Sequence, residues 1–265
     1  MGIPASFRMG PGTTNTLVSK KYIILHVLII WLSSILPLYM ILVHFEQYPT
    51  AVNKVQFYFT LPFYLFSWYA VWVLMAIAIA AVFLQIIKLM HKPREGYFPR
   101  DYKNKDFRYW SLRATVKKFA IWLSHNFWLP WLDLIAFKLF GVKVKGKMAF
   151  FDAWVDTEFI KLGKNVTIGQ GSVVMGAMVT RDWLIIKETV LEDDTVVGGY
   201  SIVSPGTIIR EGTVLGGGSM TMVGQELESG WVYMGLPAKK FKENKRKYDV
   251  KLDIVVGDNG EEEKT

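Results

Sequence analysis

The clearest pattern of apolar and polar positions is a six-residue repeat that fills residues 185–220 without a break in register. In each of these hexads the first residue is aliphatic, the fifth is Ser or Thr, and the sixth is Val, Ile or Met. A period of six fits neither an α-helix nor a simple alternating strand. It is typical of a parallel β-helix, in which the aliphatic residue points inwards and small or polar residues round the corners.

A second array of hexads occupies residues 162–179 in a phase of its own. Weaker hexads are expected around Val144 and Phe150, so that three hexads per turn give about four coils. Five residues, 180–184, separate the two arrays. Because a packed wall cannot absorb such an insertion, it predicts a short loop extruded at a corner.

Two long apolar segments, about 22–43 and 60–87, predict a transmembrane hairpin within residues 20–90, since each can cross a hydrocarbon core of about 30 Å. Basic residues flank the outer ends of the hairpin: Lys20, Lys21, Lys88, Lys92 and Arg94. The loop between the segments carries only Lys54. This bias predicts a cell-membrane protein with two spans and with both termini in the cytoplasm. A cleaved signal peptide is the alternative, but the first apolar segment is too long and a second follows it.

Residues 91–141 interleave basic and aromatic side chains, a pattern shared by membrane interfaces and by sites for single-stranded nucleic acid. The apolar segments upstream favour the bilayer. We expect amphipathic interfacial helices at 111–126 and 131–139, the second opened by Pro130 and ended by Gly141. Residues 1–19 predict a disordered arm, and residues 242–265 a charged tail.

Composition narrows the remaining classes of protein. Apolar residues make up 51% of the 265 positions, which the apolar segments explain. The net charge of +8 is spread along the chain, so we expect no nucleic-acid partner. The chain has no cysteine, which excludes disulfides, thiolate metal sites and a cysteine nucleophile.

The hexads are followed by the segment Gly235-Leu236-Pro237-Ala238-Lys239. Together these features resemble the hexapeptide-repeat acyltransferases, over about residues 142–244. The resemblance implies a left-handed parallel β-helix over 142–241 with its closing motif, a homotrimer, and acyl-CoA as co-substrate. More loosely, membrane segments joined to such a helix resemble the membrane-anchored hexapeptide units at the C-terminus of some nonribosomal peptide synthetases.

Enzymes of this family generally use a histidine on the β-helix as general base. The four histidines of this chain are His26, His44, His91 and His125, all outside the repeats. The three-histidine zinc site of the carbonic-anhydrase branch is therefore excluded, and no metal is expected. His125 is closest to the β-helix and is the first candidate base; the alternative is a histidine at the membrane surface.

Carboxylates offer a second set of candidates. Asp152, Asp156 and Glu158 precede the first clear hexad, and Asp182 lies on the predicted loop, where it is a weaker catalytic candidate. A polar corner is the alternative interpretation of all four. Lys239 and Lys240 match basic positions near the end of the family's β-helix, where they would contact a coenzyme phosphate or, alternatively, lipid head groups.

Two functions follow from these features. The first is a membrane-anchored acyltransferase that moves an acyl group from acyl-CoA to a sugar, amine or lipid-linked acceptor by direct attack. The second is a non-catalytic trimeric scaffold, or an accessory subunit of a larger membrane complex, that lacks the catalytic histidine.

Overall fold

The computed structural model describes residues 20–47, 54–129, 131–146, 148–150 and 153–244. The predicted arm over 1–19, most of the predicted tail, Pro130 and the candidate Asp152 lie outside the described residues.

Among the described residues of the N-terminal half, the structure has four α-helices. A short 3-10 turn (Lys20–Tyr22) leads into α1 (Ile23–Gln47), which is followed by α2 (Lys54–Met90), α3 (Lys105–His125) and α4 (Leu132–Phe140). The described part of the chain holds two helices that are long and apolar enough to cross a membrane, within α1 and α2. Helix α1 ends four residues after the bound expected from the sequence, and α2 extends beyond its expected bounds at both ends; each contains one proline, Pro37 and Pro62.

Helix α3 buries side chains on more than one side, so it has no single exposed polar face. It runs along α2, with Tyr109 stacked on His91 at one end and Phe127 against Tyr69 at the other. Arg113, one turn after Tyr109, is 1% exposed and bonded to Glu158 of the β-helix. The helix is therefore a layer between the apolar hairpin and the β-helix. Two of its basic residues, Arg113 and Lys117, pair with the carboxylate of Glu158.

The C-terminal half is a parallel β-helix with three walls. The first wall contains β2 (Lys143–Val144), β5 (Ile160–Leu162), β10 (Thr189–Leu191), β13 (Ile208–Ile209) and β15 (Glu226–Leu227). The second contains β3 (Met148–Phe150), β6 (Val166–Ile168), β11 (Val196–Val197), β14 (Val214–Leu215) and β16 (Trp231–Met234). The third contains β4 (Trp154–Val155), β7 (Val173–Val174), β12 (Ile202–Val203) and a bridge at Met220. The strands β2 to β4 form the expected weak first coil; left-handed winding stays an expectation of the resemblance.

The hexad pattern explains the coils residue by residue. The aliphatic first positions, such as Leu191, Ile209 and Leu215, are fully buried in the prism. The Ser and Thr at the fifth positions are buried too, and bond to backbone carbonyls; Thr213 Oγ1 donates to Glu228 O at 2.6 Å. The fourth positions have positive φ, as at Gly206 and Gly212, which is why glycine recurs at the corners.

The insertion between the two arrays is a β-hairpin and not a short loop. Leu162 pairs with Leu191, 29 residues later, whereas Leu191 pairs with Ile209, 18 residues later, so the insertion is 11 residues long. The strands β8 (Ala177–Val179) and β9 (Trp183–Ile186) form an antiparallel sheet with β1 (Gly96–Pro99). Leu184 and Ile186 are buried against Phe107 and Trp110, which provide the apolar support that the sequence period did not reveal.

The closing motif ends the β-helix with a second antiparallel turn. After β16 the chain passes Gly235, with φ +103°, and β17 (Lys239–Glu243) pairs back onto β16. The last coil is thereby covered along one wall.

Candidate active-site cleft

A cleft of about 260 Å³ lies between α3, the third wall of the β-helix and the inserted hairpin. Its floor is the outward-facing row of the third wall, Trp154, Val173, Ile202 and Met220, which are paired in register. These are sixth positions of the hexads and their equivalents, so the repeat that builds the wall also makes its outer row apolar. Charged and polar side chains line the inner part: Lys117, Lys118, Asp156, Thr157 and Glu158.

Asp156 is fixed by the start of the insertion. Its Oδ2 accepts hydrogen bonds from the backbone amides of Gly176, at 3.0 Å, and Ala177, at 3.2 Å. Gly176 makes this possible, because a Cβ there would lie 2.2 Å from the Glu158 carbonyl oxygen. The residues at which the chain leaves the regular coil thus also hold the Asp156 carboxylate at the cleft.

Glu158 forms the centre of a buried ion network. Its Oε1 lies 2.9 Å from Nε of Arg113, and its Oε2 lies 3.4 Å from Nζ of Lys117. The side chains of Arg113 and Glu158 are only 2% and 9% exposed. Such a pair fixes α3 against the first coils, because separating the charges would leave each of them without a partner in a low dielectric.

The pKa values of the two carboxylates of the cleft are shifted in opposite directions. Burial raises the pKa of Asp156 above its ordinary value, although Lys117, the two backbone amides and the Trp154 indole lower it in part. Burial also raises the pKa of Glu158, but Lys117, Arg113 and Lys88 outweigh it and hold that pKa below its ordinary range. Glu158 therefore stays ionised, while Asp156 binds a proton more readily.

The candidate base His125 does not line the cleft. It is the last residue of α3, one helical turn beyond the lining residue Ile121, with its Nδ1 3.7 Å from Oδ2 of Asp133. Its side chain is 40% exposed. Asp182 lies in the exposed turn of the inserted hairpin, and the hairpin packs on Trp110. Trp110 is about 22 Å from His125 along the axis of α3. The structure does not bring the two candidates together.

The closing segment borders one end of the cleft. Met220 donates a backbone hydrogen bond to Gly235 and accepts one from Ala238, at 3.0 and 2.7 Å. Lys239 follows with an exposed side chain. Lys240 is bonded to Glu228 and lies over the Trp231 ring, so a coenzyme phosphate there would have to displace an ion pair. Of the two lysines, Lys239 fits a coenzyme phosphate better.

The sequence offered Asp156 as one of four candidate carboxylates, with a polar corner as the alternative. Two features of the sequence could have indicated the site: acidic residues just before the hexads, and cations at positions 113, 117 and 118 of one helix. Their pairing follows from the fold of α3 onto the coils, which the hexads do not specify. In the described part of the chain, no group of three or more His, Asp or Glu residues could hold a metal ion.

Comparison with known proteins gives a likeness of fold alone. No protein-family model matches the chain, and no curated protein does. Among solved structures, an N-acyltransferase from Bacillus cereus is 20% identical, over 41% of this chain and 69% of that one, with a TM-score of 0.32. A maltose O-acetyltransferase from Clostridium difficile is 16% identical over 49% and 84%, with a TM-score of 0.41. A hexapeptide-repeat acetyltransferase from Vibrio cholerae, complexed with acetyl coenzyme A, is 17% identical over 60% and 98%, with a TM-score of 0.43. At these values the function has to be argued from the chain's own residues.

Proposed function

We propose that this chain is a membrane-anchored acyltransferase that moves an acyl group from acyl-CoA to a sugar, amine or lipid-linked acceptor, with Asp156 as general base. The observation that carries the proposal is the Asp156 carboxylate, held in a cleft between α3 and the β-helix with its pKa raised by burial. A carboxylate whose pKa moves towards neutrality is a more effective proton acceptor at physiological pH.

The residues of the cleft fit a direct transfer. The acceptor's hydroxyl or amine attacks the thioester carbonyl carbon while Asp156 takes its proton. A C–O or C–N bond forms, the C–S bond breaks, and the proton passes to the leaving thiolate. The apolar floor suits the acyl chain, and a coenzyme phosphate would contact Lys239, which follows the residue bonded to Met220 of the floor.

The test measures coenzyme A release from acetyl-CoA and palmitoyl-CoA with a panel of hydroxyl and amine acceptors. Because the chain contains no cysteine, a thiol reagent reports the product without background from the protein. Asp156→Asn should lower the rate about 10²- to 10⁴-fold, the usual contribution of a general base, and leave acyl-CoA binding unchanged. Asp182→Asn is the matched control and should keep the wild-type rate. Full activity of Asp156→Asn would refute the assignment of the base.

The scaffold remains the second candidate because of the exposed apolar side chains beside the closing turn. Met222, Leu236 and Phe241 are 61%, 71% and 64% exposed, which suits a protein partner. A scaffold predicts no acyl-CoA binding to the wild-type protein, and loss of partner capture in Leu236→Ser. Saturable acyl-CoA binding would argue against it.

We also propose that α1 and α2 anchor the protein as two spans, with both termini in the cytoplasm, and that three chains assemble around a threefold axis. Exposed apolar side chains along both helices, such as Trp31 and Phe63, support the anchoring. Trp122, Trp128 and Trp131 are exposed where α3 ends and α4 begins, as expected of an interface belt.

Cysteine labelling tests this topology. In intact cells an impermeant maleimide should label Glu46→Cys, at the exposed end of α1, and should label Arg181→Cys only after permeabilisation. Labelling of both variants, or of Arg181→Cys alone, in intact cells would contradict the orientation.

A further inference from the structure

Four buried polar atoms of the cleft make no hydrogen bond within the described residues: Lys118 Nζ, Thr157 Oγ1, Trp154 Nε1 and Glu158 Oε1. Glu158 Oε1 is ion-paired with Arg113, and the Trp154 indole interacts with Asp156, which leaves Lys118 and Thr157. The Nζ of Lys118 and the Oγ1 of Thr157 are inaccessible to solvent. Thr157 as a whole is only 1% exposed. Both residues line the same cleft. A buried donor without an acceptor is destabilising, and more so when it is charged, so a group that accepts from both would be bound favourably.

The charges around the cleft favour an anion. Lys88, Arg113 and Lys117 interact with Glu158, whereas Lys118 lines the cleft without a carboxylate partner in the described residues. Glu158 already pairs with Arg113 and Lys117, and backbone amides hold one oxygen of Asp156. Burial lowers the pKa of Lys118, as expected of an ammonium that has no partner in the described residues. An anion beside Lys118 would supply a compensating charge.

The rest of the cleft is apolar. Ile121 of α3 and Met178 of the inserted hairpin face the row of Val173, Ile202 and Met220 on the third wall. Methionine and branched aliphatic side chains pack well against a hydrocarbon chain, and they have no hydrogen-bond donor for a free inorganic anion.

We infer that the cleft binds an acidic amphiphile, a molecule in which a phosphate or carboxylate is attached to an apolar chain, with the anion between Lys118 Nζ and Thr157 Oγ1. Such a molecule is the acceptor class of the proposed transfer, so the inference rests on the proposed function for its role, though not for its binding. The attacking hydroxyl or amine then lies near Asp156, which directly precedes Thr157 in the chain.

Binding of hexyl phosphate to the full chain in mild detergent, measured by calorimetry, tests the inference. Inorganic phosphate and hexanol carry the anion and the chain separately, and each should bind at least about 10-fold more weakly than hexyl phosphate. Lys118→Met keeps the length of the side chain and removes the charge; it should weaken hexyl phosphate binding about 10- to 100-fold. Thr157→Val should weaken it about 3- to 10-fold. Lys105→Met, at an exposed position of the same helix, is the control and should bind as wild type.

Unchanged binding by Lys118→Met would overturn the inference, as would inorganic phosphate or hexanol binding as tightly as hexyl phosphate. The proposed function would be contradicted by a different result from the one that overturns this inference. If hexyl phosphate binds through Lys118 while no acceptor supports coenzyme A release, the cleft is a binding site for acidic amphiphiles without transferase activity. If coenzyme A release depends on Asp156 while hexyl phosphate does not bind, the transferase stands and its acceptor is not acidic.

Discussion

The coils of the β-helix that follow Thr189 differ from the coils that precede it in what they bury. The later coils bury aliphatic side chains and hydroxyl groups, such as Leu215 and Thr213, and their ion pairs lie at the surface. The earlier coils meet α3 and share with it Arg113, Lys117, Asp156 and Glu158. The regular coils therefore provide a rigid wall, and the chemistry is concentrated where the wall departs from regularity.

The inserted hairpin shows how the departure produces a site. It leaves the β-helix after β7, where Gly176 and Ala177 turn their amides to Asp156. It returns at β10, having packed Leu184 and Ile186 on the first turns of α3. Without the hairpin, Asp156 would lack its two amide donors and the cleft would lack one side. A single insertion thus fixes both the carboxylate and the shape around it.

The largest expected effect on stability comes from the buried network. Glu158→Gln removes the only carboxylate that pairs with both Arg113 and Lys117 in the described residues, and leaves two cations in a low dielectric. It should lower the free energy of unfolding by about 3–5 kcal/mol, measured by urea titration in mild detergent. Glu226→Gln in the regular coils is the matched control. Its pair with Arg210 is exposed and screened by solvent, so the loss should be much smaller than that of Glu158→Gln. Equal losses would remove the energetic distinction between the two regions.

The pH dependence sharpens the same comparison. The folded protein holds the pKa of Glu158 below its unfolded value of about 4.3, so its contribution is fully present above that value and is lost as the pH falls through the folded pKa. The difference in stability between wild type and Glu158→Gln should accordingly shrink below about pH 4. Asp156 works in the opposite direction, because its folded pKa is raised and its ionisation on a rise in pH disfavours the folded state. A difference that stays constant down to pH 3 would contradict the assigned network.

The regular coils could be predicted from the sequence, whereas the inserted hairpin and the cleft could not. The hexads specify the inward aliphatic positions, the hydroxyl ladders and the corners, because each depends on residues close in the chain. The hairpin was predicted as a five-residue loop, since residues 185 and 186 match the hexad pattern while β9 pairs them with β1. The cleft was missed because it depends on contacts between Arg113 and Glu158, 45 residues apart. A repeat predicts its own geometry and says nothing about the helix that packs against it.

The smallest expected effect is that of His125→Ala. This variant tests His125, the general base suggested by the sequence, against Asp156, the base proposed from the structure. His125 is paired with Asp133 beyond the end of the cleft, and its side chain is 40% exposed. Loss of such a pair should change the free energy of unfolding by at most about 1 kcal/mol, and coenzyme A release should stay within about 3-fold of wild type. Asp156→Asn, assayed alongside, should show the loss of about 10²- to 10⁴-fold expected for a general base. If the two variants exchange these outcomes, the base lies at the end of α3, and the site lies outside the cleft beside the irregular coils.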